Sequence, residues 1–197
     1  PENFHYPFSI KSLLPNYREF DDSRYFYSLE KLATEMGTTL DHVLNIFDSK
    51  IGRLAGVLCE DGWDTDYHHS PLEILSKKFP DLYINISCSP FTLNKNYKRN
   101  RTFGKKAAIL QKPLIYVNNV GIQNNGKTIF TFDGQSTIYN TKGEYETVLP
   151  TFQENFQCIT FETGEEFNIK TNQNQPSDIK QIFQSIQKKK KKFLKQL

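Results

Sequence analysis

The run of residues 53–60, RLAGVLCE, constrains the fold more than any other stretch of this sequence. Its apolar residues are nearly continuous, which is typical of a strand buried on both faces in the middle of a sheet flanked by other layers. Two further strand-like runs follow, LYINIS at 82–87 and LIYVNNV at 114–120. Because helical patterns lie between these runs, the sequence predicts an α/β fold.

The helical patterns are marked by apolar spacing and by capping residues. Ser70 and Glu73 form a capping box around Pro71, which stands at the first helical position. Gly37 divides an earlier pattern into two short helices. Beyond the third strand, the runs TIFTFDGQS and STIYN predict antiparallel strands and hairpins. The predicted helices before those hairpins lie within 25–47, at 71–79 and at 95–111.

A change of composition after Glu166 predicts a domain boundary. The segment that follows is rich in Asn, Gln, Thr and Pro, as linkers between domains are. Ser177 then caps a terminal helix whose apolar residues, Phe183 among them, lie roughly on one face. We therefore predict one domain over residues 1–166, followed by a linker and a helix over residues 167–197.

Charge and cysteine content argue against several classes of protein. The net charge is +3 and five lysines stand in one run, Lys188–Lys192, so charge gives no argument for nucleic-acid binding. Three cysteines without a C-x-x-C pair argue against a disulfide framework and against a zinc site. The sequence contains no apolar run long enough to span a bilayer. We expect a cytoplasmic protein, in a reducing compartment, without a membrane or nucleic-acid partner.

Cys59 and Glu60 stand together where the first central strand ends. A thiol is a useful nucleophile when a neighbouring base or positive charge favours the thiolate. Lys11 is a candidate partner because it precedes a loop that is broken by Pro15. The alternative interpretation is structural, because a cysteine at the end of an apolar strand is usually a small core residue.

Five short motifs follow one another along the chain. They are K-x-x-L-P-N-Y-x-x-F-D within 11–22, C-E-D-x-W at 59–63, N-I-S-x-S-P-F at 85–91, Y-V-N-x-V-G at 116–121 and F-D-G-x-S at 132–136. Together, over about residues 10–156, they resemble the nitrilase-type glutaminase domain of glutamine-dependent NAD synthetases. The resemblance implies an α-β-β-α sandwich, here without its first strands and with a linker helix at its C-terminal end.

The resemblance also implies catalytic roles. Cys59 matches the nucleophile that attacks the side-chain amide of L-glutamine, which gives a thioester and ammonia. Lys11 matches the lysine whose ammonium stabilises the tetrahedral oxyanion, together with the backbone N–H of Glu60. Glu19 matches a further glutamate that positions this lysine in many nitrilase relatives. The glutaminase reaction needs no cofactor and no metal.

The substrate-binding residues are also implied by the resemblance. Glu60 matches the residue that meets the α-amino group of glutamine, and Arg99 falls where the family holds the substrate carboxylate. The full set of predicted substrate-binding residues is Tyr17, Phe20, Glu60, Ser87, Ser89 and Arg99.

The sequence departs from the family pattern at both ends. The family's general base is a glutamate well upstream of the lysine, whereas Glu2, the glutamate that precedes Lys11 here, has no recognisable context. Family members continue into a synthetase domain that uses ATP and Mg²⁺, and no SGG-type phosphate loop occurs in this sequence. We therefore expect an internal piece of a longer protein, whose partner is its own synthetase domain and which forms a homo-oligomer.

Three other functions stay open at this point. The chain is compatible with a different carbon-nitrogen hydrolase, and the unplaced general base is compatible with a catalytically silent interaction module. Nucleic-acid binding through the lysine run ranks last. A metal site at His68 and His69, next to Asp64 and Asp66, is disfavoured because tandem histidines point in different directions on a strand or a helix.

Overall fold

The computed structural model describes residues 8–126, 128–160, 167, 169 and 177–194. Within these residues, the strands are β1 (Phe47–Ser49), β2 (Gly52–Leu58), β3 (Leu82–Ser87), β4 (Leu114–Asn118), β5 (Val120–Asn124), β6 (Ile129–Asp133), β7 (Thr137–Tyr139) and β8 (Tyr145–Thr147). The α-helices are α1 (Leu29–Glu35), α2 (Leu40–Val43), α3 (Pro71–Ser76), α4 (Lys95–Leu110) and α5 (Asp178–Leu194).

The six-stranded sheet has the order β1-β2-β3-β4-β7-β8. Its three central strands are parallel, with Ala55 opposite Tyr83 and Asn85 opposite Tyr116. The antiparallel strands β1, β7 and β8 extend this core at its two edges, while β5 and β6 form a separate two-stranded ladder. The predicted α/β class is therefore confirmed, because parallel strands require crossover helices such as α3 and α4.

One face of the sheet packs against the helices. Ala55, Val57, Tyr83, Tyr116 and Tyr139 point toward this side and are almost inaccessible to solvent. The helices contribute Leu29, Ala33, Val43, Leu72, Leu75, Phe103 and Ala107 to the same cluster. The opposite face carries a smaller cluster around Leu82, Ile138 and Phe167. Together, the described residues thus supply one helical layer and one main sheet, plus the β5–β6 ladder.

Most predicted elements occur where the sequence places them, but the predicted strand 114–120 is divided between β4 and β5, and β1 begins at Phe47, within the predicted helical stretch 25–47. LYINIS is β3 from its first residue to its last, and α4 ends one residue before the predicted end at Gln111. Strand β2 stops at Leu58, so Cys59 begins a 3₁₀ turn, Cys59–Gly62, instead of ending the strand. Helix α3 ends at Ser76, three residues earlier than predicted.

The terminal helix is present as α5, but most of the segment before it lies outside the described residues. The predicted boundary at residue 166 therefore stays a prediction, as does the division into residues 1–166 and 167–197. Glu2 also lies outside the described residues. None of the helices in the described part of the chain combines the length and hydropathy that crossing a membrane requires.

Candidate active site

A cavity of about 870 Å³ opens beyond the carboxyl end of β2. In open α/β sheets, ligands bind beyond the carboxyl ends of the parallel strands, where loops from neighbouring strands converge. The walls come from the loop after Lys11, the turn after β2, the loop after β3 and the first turns of α4. The predicted site residues that line the cavity are Lys11, Tyr17, Glu19, Phe20, Cys59, Glu60 and Ser89.

The backbone at Cys59 has an unusual conformation. Its φ angle is +46°, in the left-handed region that a non-glycine residue adopts only at a cost of about 1–2 kcal/mol. A hydrogen bond holds the turn in place, because Asn85 Nδ2 donates to the Cys59 carbonyl at 3.2 Å. A Cβ at Gly62 would lie 2.4 Å from Phe103 Cε1, so the turn sits too close to the core for a larger residue. Such strain is concentrated at functional sites.

Cys59 is partly buried in the cavity wall, and the pKa of its thiol is raised above the ordinary value. Burial is the main cause, while the N–H of Cys88, the Lys11 ammonium and the Ser87 hydroxyl act in the opposite direction. The structure therefore brings Cys59 and Lys11 together, although they are far apart in the sequence. At neutral pH this thiol keeps its proton until a base removes it.

Lys11 is held in the cavity wall by two carboxylates, one directly and one through the backbone. Its ammonium forms a hydrogen-bonded ion pair with Asp22. Asp61 accepts the backbone N–H groups of Ser12 at 2.9 Å, of Leu13 at 2.8 Å and, from β2, of Leu58 at 3.0 Å. Burial raises the pKa of Asp61 to about 6 despite these donors. The segment after Lys11 is thereby fixed to the end of β2.

Asp22 makes the contact that the sequence analysis assigned to Glu19. The N–H of Asp22 donates to the Pro15 carbonyl at 3.0 Å, which folds the loop back on itself and brings Asp22 to Lys11. Glu19 lies in the same loop and lines the cavity without an ion pair to Lys11 among the described residues. The positioning role that the resemblance implies for Glu19 therefore stays a prediction.

Glu60 lies on the cavity wall and accepts hydrogen bonds from two tyrosines. Tyr17 Oη lies 3.1 Å from each carboxylate oxygen, and Tyr67 Oη lies 3.0 Å from Oε1. Burial raises the pKa of Glu60, and it also raises the pKa of both tyrosines, so the hydroxyls stay protonated donors. The sequence analysis predicted Tyr17 but missed Tyr67, which lies outside the five motifs.

Phe20 and the two serines occupy different parts of the site. The Phe20 ring stacks on Phe130 with centroids 6.0 Å apart and meets the edge of Tyr17 at 5.6 Å, so it forms an apolar wall. Ser89 lines the cavity and is 2% exposed. Ser87 is buried behind the cavity, where its hydroxyl donates to Asn85 Oδ1 and lies beside the Cys59 sulfur. Ser87 thus supports the thiol from behind.

Arg99 corrects the sequence analysis, which placed it on the substrate carboxylate. Its side chain is fully buried, pairs with Asp133 at 3.3 Å and stacks over the Tyr116 ring at 5.1 Å. It does not line the cavity. Its terminal nitrogens donate to Asn96 and Asp133 in the interior, away from the cavity.

Lys95 lines the cavity, as do Lys98 and Arg101 of the same helix, whereas Arg99 does not. Lys95 lies one helical turn before Arg99 on α4 and rests over the Trp63 ring at 6.0 Å. Burial and the nearby Arg99 charge lower the pKa of Lys95, while Cys59 and Glu60 act in the opposite direction. The signal that could have identified it is its position at the first turn of α4, which faces the ends of the strands.

Searches against known proteins find relatives of one description. A glutamine-dependent NAD(+) synthetase from Synechocystis is 31% identical over 159 residues, which are 77% of this chain and 26% of that protein. A protein of the same name from Acinetobacter baylyi is 30% identical over 89% of this chain and 29% of its own length. The chain therefore spans about a quarter of the length of these curated relatives. No family model matches the sequence.

Solved structures agree with this similarity. The glutamine-dependent NAD+ synthetase from Acinetobacter baumannii, solved with adenosine diphosphate, superposes with a TM-score of 0.59 at 29% identity, over 74% of this chain and 24% of that one. A carbon-nitrogen hydrolase from Helicobacter pylori G27 superposes with a TM-score of 0.58 at 20% identity, over 73% of this chain and 48% of that one. At this identity, the similarity shows the fold alone. The chain is thus similar, over most of its own length, to part of the glutamine-dependent NAD(+) synthetases, and it shares the fold of a carbon-nitrogen hydrolase.

Proposed function

We propose that this chain forms the glutamine-hydrolysing site of a glutamine-dependent NAD synthetase. The observation that carries the proposal is the Cys59 thiol, on a strained turn, in one cavity with the Lys11–Asp22 pair. A nucleophile, a fixed cation and a polar pocket around them are the elements that acyl transfer requires. The similarity to glutamine-dependent NAD(+) synthetases supplies the substrate class.

The reaction follows from these groups. The Cys59 sulfur attacks the amide carbon of glutamine, the Lys11 ammonium stabilises the oxyanion, and the carbon–nitrogen bond breaks. Ammonia leaves with the two amide hydrogens and the proton of the thiol. Water then attacks the thioester, which releases glutamate and restores the thiol. The base that moves these protons is assigned to no residue of this chain.

The polar residues of the cavity suit the two ends of a free amino acid. Glu60, with its two tyrosine donors, offers a carboxylate to the α-amino group of glutamine. Lys95, together with Ser89, offers a cation to the α-carboxylate, in place of the buried Arg99. Phe20 covers the aliphatic part of the substrate side chain. Selectivity for glutamine would then come from charge complementarity at one end of the pocket and from Cys59 at the other.

The broader assignments belong to the same proposal. Ammonia would pass to a synthetase domain of the same protein, which amidates deamido-NAD with ATP and Mg²⁺. The glutaminase step itself would use no cofactor. We also propose a cytoplasmic location and a homo-oligomeric assembly, as the sequence resemblance implies.

The test combines turnover with labelling of the thiol. We expect glutamine hydrolysis that is abolished in Cys59→Ala and reduced by about 10²-fold or more in Lys11→Met, because one preorganised donor is lost. Cys158→Ala is the matched control, since Cys158 is exposed and does not line the cavity. In a protein that includes the synthetase domain, Cys59→Ala should lose NAD formation from glutamine. Free ammonia should restore NAD formation in this variant.

A second function is favoured by one specific observation, the raised pKa of the Cys59 thiol. A thiol that stays protonated, and to which the described residues supply no base, would be inert, which would make the domain a silent interaction module. A glutamine-analogue electrophile separates the two functions. Covalent labelling of Cys59 supports catalysis, whereas folded protein that neither turns over glutamine nor takes up the label supports the silent module.

A further inference from the structure

Three side chains with metal-binding atoms meet beside the cavity. Glu30 lies on α1, and His68 and His69 lie in the segment between the Asp64–Asp66 turn and α3. One ligand atom from each lies within 4.8 Å of the others. His68 Nε2 is 3.0 Å from Glu30 Oε1, and the two imidazole rings are 4.8 Å apart in an edge-to-face arrangement.

His69 is the member of this cluster that protein contacts do not explain. Both of its ring nitrogens are shielded from solvent, and neither has a hydrogen-bond partner among the described residues. Buried polar atoms are almost always paired with protein or another ligand, so an imidazole with two unpaired nitrogens requires a reason. Because neutral imidazole is a common metal ligand, a bound cation is such a reason.

The sequence disfavours this site because tandem histidines point in different directions on a strand or a helix and no third ligand is evident near them. Asp64 is committed elsewhere, since it binds Lys106 and Ser70. The segment that carries the histidines is neither helix nor strand, so adjacent side chains can turn to the same side. The third ligand, Glu30, comes from a distant part of the chain.

We propose that Glu30, His68 and His69 bind one divalent transition-metal ion of the zinc class. Two imidazoles and a carboxylate form a ligand set that zinc accepts, with ligand distances of about 2.0–2.2 Å and a fourth position open to water. The ligands must approach one another to reach these distances. Side-chain rotation provides this movement, because the His68 side chain is 73% exposed and that of Glu30 is 46% exposed.

The position of the site gives the metal a structural consequence. Tyr67, which precedes His68, donates its hydroxyl to Glu60 in the cavity wall. A metal bound at His68 and His69 would fasten this segment to α1 and so fix Tyr67 against Glu60. Metal binding itself does not depend on the proposed glutaminase function. Only the effect of the metal on Tyr67 and Glu60 rests on that function.

Metal binding is measured directly, without glutamine. The full chain, prepared without a histidine tag and treated with chelator, is titrated with zinc chloride by calorimetry and with cobalt(II) chloride by visible absorption. We expect one equivalent to bind without a thiolate charge-transfer band, since no cysteine takes part. Glu30→Gln should weaken binding about tenfold or more, and His69→Ala should abolish it.

Two controls isolate the cluster. His42→Ala should bind as the wild type does, because His42 is exposed and interacts with Thr39. Zinc should raise the unfolding temperature of the wild type but not that of Glu30→Gln, since a ligand stabilises only the state that binds it. Folded wild-type chain that binds neither ion at micromolar concentration, or equal affinities for the wild type, Glu30→Gln and His69→Ala, would overturn the proposal.

Discussion

Three acidic residues in or behind the cavity wall have three different tasks, and their contacts decide which. Asp22 pairs with the Lys11 ammonium, Glu60 accepts the hydroxyls of Tyr17 and Tyr67, and Asp61 accepts backbone N–H groups. Glu60 and Asp61 belong to the motif at 59–63 and Asp22 follows the motif that begins at Lys11, but residue type alone does not separate these tasks. The separation comes from what the folded chain places within hydrogen-bonding distance of each carboxylate.

The exchange of roles between Asp22 and Glu19 leads to a first prediction. Asp22→Asn removes the charge that holds Lys11, so we expect glutamine turnover to fall by about 100-fold, as small displacements of a catalytic group can cause. Glu19→Gln is the matched control and should stay within a few-fold of the wild type. Steady-state kinetics of both variants checks this, and a larger loss in Glu19→Gln would restore the original assignment.

The Cys59 thiol leads to a second prediction, on pH dependence. Because burial raises its pKa, little thiolate is present at neutral pH, and the rate of alkylation by iodoacetamide should still be rising beyond pH 9. Lys11→Met should lower the rate at each pH, since the ammonium favours the thiolate. The measurement uses a chain in which Cys88 and Cys158 are replaced by alanine. A rate that levels off near pH 7 would contradict the raised pKa.

At the scale of the element, α4 shows how one helix serves both the site and the core. Lys95 stands in its first turn and lines the cavity, whereas Arg99, one turn later, pairs with Asp133 at the end of β6. The sequence predicts the helix and its basic face. It does not predict which cation faces the cavity, because that depends on how the helix is rotated against the sheet.

Lys95 and Arg99 of α4 are expected to respond differently to substitution. Lys95→Met should raise the KM for glutamine with little change in the free energy of unfolding, because the lysine meets the substrate and not the core. Arg99→Met should destabilise the fold by about 3–5 kcal/mol, since it leaves Asp133 buried without a partner. Urea denaturation and substrate titration separate these effects.

An additional variant keeps this comparison informative if Arg99→Met does not fold. Replacing Arg99 by methionine and Asp133 by asparagine together removes both charges, so the double variant should regain part of the lost stability. A double variant that is no more stable than Arg99→Met would mean that the charge pair is not the cause. A KM that is unchanged in Lys95→Met would contradict its role at the substrate carboxylate.

At the scale of the whole molecule, the core lies between the main sheet and helices α1 to α4. Helix α5 stands apart from it and exposes most of its apolar side chains. Ile179 is 81% exposed and Phe183 is 59% exposed, although the sequence places both on one apolar face of the helix. An apolar helical face predicts burial in general, yet it does not say against which surface.

Two phenylalanines test this location of the core. Phe103→Ala should cost about 3–5 kcal/mol of unfolding free energy, because the ring is fully buried between Trp63, Tyr116 and Tyr139. Phe183→Lys should change it by about 0.5 kcal/mol or less, as exposed substitutions do. Chemical denaturation of both variants measures this. A loss of several kcal/mol in Phe183→Lys would place α5 in the core.

The sequence by itself determined the central strands, most of the helices and the candidate nucleophile, because these depend on local periodicity, capping residues and short motifs. It did not locate β1 or separate β4 from β5. Only the tertiary structure decided that Asp22 holds Lys11, that Arg99 is buried, that Lys95 and Tyr67 reach the cavity, and that Glu30 meets His68 and His69. Each of these contacts depends on how a loop folds or on how a helix is rotated against the sheet. Spacing along the chain does not fix those geometries, whereas packing of the helices and loops against the sheet does.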